Sequence, residues 1–259
     1  MRCVNGRDSP SLAFGGLLTA VVLLISSCGA QQRAAEQLID PRLRSEGVLV
    51  ERQSARRDLE LGRYRVEQLR VQDEPFDGSG PLAPDENGRT RPTEQLHLEF
   101  TLTGGATPWT ADCVGQRRQP PDHDLAAAAD ERRDEVAVRC QIANQIANQI
   151  AGAEQRWVLR IDGNLGANMV GSLERAGGGE AESAAKTVEI IMWHRIWNIS
   201  RRRLPASLAR IGSRSGSEAA LILATPERAW LAPELDDIQR ELALTALLAL
   251  RLMPLGFDL

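Results

Sequence analysis

From Tyr64 onward, apolar and polar residues alternate over much of the chain. The clearest stretch is "QLHLEFTLTGG" (95–105), where Leu96, Leu98, Phe100 and Leu102 fall on one face and His97, Glu99 and Thr101 on the other. That period of two is the mark of a half-buried strand, and the glycine pair ends it. "RYRVEQLRV" (63–71) shows the same habit through Tyr64, Val66 and Val71, and "EVAVRCQI" (135–142) places Val136, Val138, Cys140 and Ile142 together. "PWTADC" (108–113) predicts a neighbouring strand. "RWVLRIDGNLGANMVGSLER" (156–175) predicts two strands about a glycine-containing turn, and "KTVEIIMWHRIWNI" (186–199) one long strand or two short ones, being rich in β-branched and aromatic residues. "EAALILATPERAWLAP" (218–233) predicts a hairpin turning at Thr225–Arg228. Polar connections rich in Pro, Gly, Asp and Asn occupy 73–92, 115–134 and 177–185.

One segment departs from this habit. "PELDDIQRELALTALLALRLM" (233–253) has helical spacing, with Pro233 suited to a first turn and Asp236 and Asp237 where a helix dipole favours acids. Its second half, Ala243–Leu250, is apolar all round except for Thr245. A helix apolar on every side must be enclosed, and this stretch is too short to span a bilayer, which takes about 20 residues. The fold expected is therefore mainly β, an antiparallel sheet or barrel with a buried C-terminal α-helix, or α+β if the sheet is open. Strands wrapped around such a helix resemble, in architecture alone, the tubby-like and phospholipid-scramblase-like barrel.

"QIANQIANQIAG" (141–152) is a tandem four-residue repeat. Its isoleucines form a stripe whether read with helical or strand spacing, and periodicity does not choose between them. A lengthened strand-to-strand connection is the plainer reading.

The N-terminus has a different composition. Arg2 and Arg7 flank a polar start, and Leu12–Ile25 carries no charge. A basic start, a short apolar run and small residues before a cut are the layout of a secretory signal. Its last residues, Ile25, Ser26, Ser27 and Cys28, resemble the lipobox of bacterial lipoproteins. The resemblance implies that Cys28 becomes a lipidated N-terminus, its thiol carrying a diacylglyceryl thioether. Several acyl chains on one residue hold a protein to a membrane where one would hold it marginally. Gly29, rather than Asp, implies sorting to the outer membrane, facing the periplasm. The division expected is a signal peptide over 1–27, a polar tether over 28–60 with a helical tendency around Arg52–Leu61, and one β-rich domain over 61–259 that ends in the helix 233–253.

Formal net charge is −4 over the whole chain, and dropping Arg2, Arg7 and Asp8 leaves the remainder at −5. Such a balance offers no general attraction for nucleic acid or anionic lipid. Of four cysteines, Cys3 leaves with the signal and Cys28 takes lipid. Cys113 and Cys140 remain, an even pair in an oxidising compartment, and are read as a disulfide.

Candidate chemistry is sparse. There are three histidines. His97 is on the outward face of its strand, His123 lies between two aspartates in a loop, and His194 stands among Trp193 and Trp197, a possible ligand pocket. Gly166–Ser172 lacks the lysine and the following helix of a phosphate-cradling loop. No nucleophile elbow, metalloprotease helix, paired-cysteine or dinucleotide motif is present, and nothing calls for a cofactor or a metal. Three expectations follow, in order. The first is a non-catalytic envelope lipoprotein, its membrane contact made through N-terminal acyl chains and its β-domain binding an envelope protein or lipid. The second is a lipid-binding or lipid-sensing barrel. The third is an envelope hydrolase built on one of the histidines.

Overall fold

The computed structural model describes residues 32–52, 59–75, 81–82, 93–119, 134–144, 156–165, 167–177, 185–196, 203–213, 216–223 and 226–255, with backbone alone at 192–196 and 203–207. Cys28 and the residues before it, His123, Trp197 and the repeat beyond Asn144 lie outside the described residues.

Among the described residues the strands are β1 (Val48–Glu51), β2 (Glu60–Leu61), β3 (Tyr64–Glu74), β4 (Thr93–Thr103), β5 (Trp109–Arg118), β6 (Glu135–Asn144), β7 (Arg156–Asn164), β8 (Met169–Arg175), β9 (Lys186–Ile196), β10 (Arg203–Ser213), β11 (Gly216–Ile222) and β12 (Arg228–Leu231). A short helical run α1 (residues 32–36) and α2 (Pro41–Glu46) precede them, and α3 (Asp237–Leu252) follows. From β2 to β12 each strand pairs antiparallel with the next, and β1 adds to β12, giving one 12-stranded sheet. Its two edges approach each other. Arg52 bridges Leu61, and the Gly62 amide donates to Glu51 O at 2.9 Å, so the sheet is nearly closed into a barrel.

The expectation of a mainly β fold with a buried C-terminal helix holds. Residues 241–250 of α3 are all buried, and α3 packs against β4, β5 and β6 on one side and β10, β11 and β12 on the other. The helix therefore fills the bore. Leu98, Phe100, Trp109, Cys113, Val138, Ile142, Leu159, Leu173, Ile190, Ile211 and Leu221 line it from the strands. Asp236 caps the helix, accepting from Gln239 N at 2.7 Å while the Gln239 side chain returns to the Asp236 amide. That capping box starts the helix at Asp237 and leaves Pro233 in the preceding turn, one turn later than the sequence suggested.

Cys113 and Cys140 stand directly opposite in the β5–β6 register and form the expected disulfide inside the bore. At a sequence separation of 27, the cross-link stabilises by about 3.5 kcal/mol in the chain-entropy model.

The reading of 28–60 as a tether differs from what the chain does over 32–52. Ala34, Ala35, Ile39 and Leu43 pack with Leu208, Ala220, Ile222, Trp230, Ala232 and Leu235 in a second apolar cluster on the outside of the barrel. β1 is the edge that closes the sheet, and Leu59 belongs to the main core. The physical reason lies in β10–β12. Ala209, Ile211, Ala219, Leu221, Ala229 and Leu231 face the bore while Leu208, Ala220, Ile222 and Trp230 face outward. A sheet apolar on both faces needs cover on both. The cover is a run with apolar residues at 35, 39 and 43, an i, i+4, i+8 stripe. The helical tendency around Arg52–Leu61 meets strand bridging at Arg52 and Glu60–Leu61, with 53–58 outside the described residues.

Candidate functional site

Three polar constellations are built on this frame. The first lies on the outer face of β3, β4 and β5. Along β4, His97 and Glu99 are two apart and share that face, and Asp112 of β5 is directly opposite Glu99. Glu74 of β3 reaches the same face because of a bulge. Tyr64 and Val66 point inward, but Gln68 takes φ +54° and the register slips between Glu67 and Arg70. One extra residue exchanges the two faces of a strand, so Arg70, Gln72 and Glu74 turn outward.

His97 Nε2 is 2.8 Å from Asp112 Oδ1 and 3.8 Å from Glu99 Oε1, and Nδ1 is 3.3 Å from Glu74 Oε1. With carboxylates near both nitrogens the charged form of the ring is favoured. Its pKa is raised above the usual 6.5, chiefly by the hydrogen bond to Asp112; partial burial opposes this, and the charges of Asp112, Glu74 and Glu99 add to it. Glu74 is itself held from behind. Gln95 Nε2 donates to Glu74 Oε2 at 3.2 Å, Gln116 Nε2 donates to Gln95 Oε1 at 2.6 Å, and Gln116 Oε1 accepts from Leu82 N at 2.8 Å. Gln95 and Gln116 are buried, so this chain is ordered by its surroundings and not by solvent.

A group whose folded pKa is raised contributes stability that is complete below its unfolded pKa and is lost as pH rises through the folded value. Wild type should therefore exceed His97→Gln in stability near about pH 6, and the difference should vanish towards about pH 9. Urea titrations of both proteins across that range check this, and a difference that does not change with pH would refute it.

The second constellation is partly enclosed. Glu241 of α3 is buried and accepts from Ala106 N, from Thr107 N at 3.3 Å, from Thr107 Oγ1 at 3.4 Å and from Trp109 Nε1 at 3.1 Å. Asn144 Nδ2 donates to Thr107 Oγ1 at 2.7 Å, which ties β6 to the same point. Gly104 and Gly105 make the turn possible. Gly104 has φ +90°, and a Cβ on Gly105 would lie 2.1 Å from Glu241 Oε1. This is a fastening between the first turns of α3 and the β4–β5 hairpin.

The third is at the opposite end of the bore. Buried Glu227 receives Arg52 Nη1 at 3.0 Å and Arg251 Nη2 at 3.0 Å, joining the β1 seam, the start of β12 and the last turn of α3. A shallow open cleft lies elsewhere, between α2 and β11, lined by Asp40, Arg42, Ser217, Glu218 and Glu234 among others.

Of the residues proposed from sequence, Cys113 and Cys140 are brought together. Trp193 and His194 have backbone positions in β9, where they pair with Ala206 and Pro205 of β10. Trp197, Cys28, Ile25, Ser26 and Ser27 lie outside the described residues. The sequence places His97 on an outward face and among the histidines of the hydrolase expectation, and its three carboxylate neighbours come only from the structure. Compared with protein-family models, curated proteins and solved structures, the chain matches none. Among the described residues no helix is long and apolar enough to cross a membrane.

Proposed function

We propose that the protein is a non-catalytic envelope lipoprotein, held to a membrane by acyl chains on Cys28, whose barrel binds or scaffolds a partner on its outer surface. The supporting observation is that α3 occupies the bore with ten consecutive buried residues, 241–250. A barrel filled in this way offers ligands its outside and its ends.

The attachment point has a geometric consequence. Gln32 Nε2 donates to Pro226 O at 3.3 Å, next to Glu227. Cys28 precedes Gln32 by four residues, which reach about 14 Å when fully extended. The anchor would thus hold the end of the barrel bearing Pro226, Glu227 and Arg251 close to the bilayer. β9 and β10 extend past their neighbours at that end. β8 pairs with β9 only as far as Ile190, and β11 pairs with β10 only from Leu208, so residues 192–196 and 203–207 pair with each other alone among the described residues.

Radiolabelled palmitate on wild type and Cys28→Ala, followed by membrane fractionation, tests the reading. Label and outer-membrane location are expected for wild type and loss of both for Cys28→Ala; an unlabelled wild type would overturn it. The nearly closed barrel around an apolar C-terminal helix favours a second reading, a lipid-binding or lipid-sensing barrel of the tubby-like or scramblase-like kind. An unlipidated Cys28→Ala chain that remained on the membrane fraction would support that one.

A further inference from the structure

We propose that His97, Glu99 and Asp112 form a surface site for a divalent transition metal of the zinc class, with Glu74 as the positioning residue for the histidine. Their ligand atoms all lie within 4.8 Å of one another. Neighbouring ligands of a tetrahedral zinc, bound at about 2.0–2.1 Å, are about 3.4 Å apart. Asp112 and Glu99 are exposed enough, at 59% and 44% of their side-chain surface, to close the difference by side-chain rotation. His97 Nε2 already points at both carboxylates.

The arrangement behind the ligands carries the argument further than a cluster of acids would. Metal-bound histidines characteristically give their other ring nitrogen to a carboxylate, which fixes the tautomer and the ring plane. Glu74 stands at Nδ1 at 3.3 Å. It is fixed there by buried Gln95, which is fixed in turn by buried Gln116 and the Leu82 amide. Buried glutamines are unusual in an outer strand face, and here their order runs to a single imidazole.

Charge points the same way. Glu99 and Asp112 are directly opposed across β4 and β5, a pairing of like charges that destabilises a sheet. Among the described residues neither is in an ion pair with an arginine or lysine, and His97 is their shared partner. A divalent cation would replace the Nε2 proton and neutralise both carboxylates at once. One imidazole with carboxylate oxygens suits zinc, manganese, cobalt or nickel; all-oxygen sets suit calcium and magnesium.

The test is calorimetric titration of the full-length, tag-free protein in detergent with zinc chloride, alongside NMR of the histidine ring protons. The expected result is one equivalent of zinc, displacement of the His97 ring resonances, and loss of that binding in His97→Ala. Glu74→Gln keeps the three ligands and should weaken affinity about 10–100-fold. The His123→Ala/His194→Ala double variant should bind as wild type does. Circular dichroism of each variant separates loss of the site from loss of the fold. Absence of saturable binding by wild type, binding that survives in folded His97→Ala, or binding lost with the other two histidines would each overturn the proposal.

Discussion

Glu241→Ala is expected to lower stability to unfolding by about 4 kcal/mol. The buried carboxylate accepts the partly exposed amides of Ala106 and Thr107, the Thr107 hydroxyl and the buried Trp109 indole. Removing it strands the buried indole, and a buried donor left unmade costs about 1–3 kcal/mol, while the partly exposed turn donors each cost less. The sum is below the number of donors times that figure, because the β4–β5 turn will relax and let water reach the Thr107 hydroxyl and amide. Glu241→Leu restores apolar volume without an acceptor and should recover little. Trp109→Phe removes a single donor, and in a double-mutant cycle with Glu241→Ala it should show a coupling of at least about 1 kcal/mol. Urea denaturation followed by tryptophan fluorescence provides the numbers. A loss below about 1 kcal/mol for Glu241→Ala would mean that the fastening contributes nothing beyond local geometry.

Glu227→Ala should cost about 3 kcal/mol and open the seam of the barrel. Breaking a buried pair by removing one partner costs about 3–5 kcal/mol. The lower end applies here because Arg52 and Arg251 keep 19% and 16% of their side-chain surface exposed, so solvent recovers part of the loss. The location predicts more than the magnitude. The Arg52 amide donates to Glu227 O and the Gly62 amide to Glu51 O, and these two bonds hold the junction of β1 with β12 and β2. Hydrogen exchange at Arg52 and Gly62 should therefore accelerate in Glu227→Ala while amides of β4–β6 keep their protection. Uniform acceleration across the sheet would mean that the triad stabilises the barrel globally and does not act as a latch.

The two constellations explain why α3 is held in register as well as enclosed. Its apolar residues would be content at several depths in a bore lined with Leu, Ile and Val. Glu241 at one end meets the β4–β5 turn and Trp109, Arg251 at the other meets Glu227, and between them they set one depth. Buried polar groups of this kind act by making alternatives costly.

Much of this architecture was legible in the amino-acid order. Alternation at Leu96–Leu102 and Val136–Ile142 identified β4 and β6 and their inner faces, since a strand's two faces are set by its own residues. The all-round apolar surface of Ala243–Leu250 required enclosure, because no other environment accepts such a helix. Cys113 and Cys140 were expected to pair because they are the even pair left outside the signal region, and the β5–β6 register sets them opposite one another. The tether over 28–60 was misread because polar residues outnumber the apolar stripe at 35, 39 and 43. That stripe gains its meaning from the outward Leu208, Ala220, Ile222 and Trp230, more than 160 residues away.

The site around His97 was the least legible part. Glu74, His97 and Asp112 come from three strands, the first separated from the second by a long polar connection, and their meeting depends on pairing register and on one bulge at Gln68. Local sequence by itself determined most of the strands, though not β1, β2 or β10, which face of the clearest ones is apolar, and that the last segment is an enclosed helix. Those properties depend on periodicity, and periodicity is local. The tertiary structure alone decided that the sheet closes on its own first strand, that residues 32–47 cover its outer face, and that one imidazole meets three carboxylates. Those depend on which distant residues end up opposite one another, and that is settled only when the whole core packs.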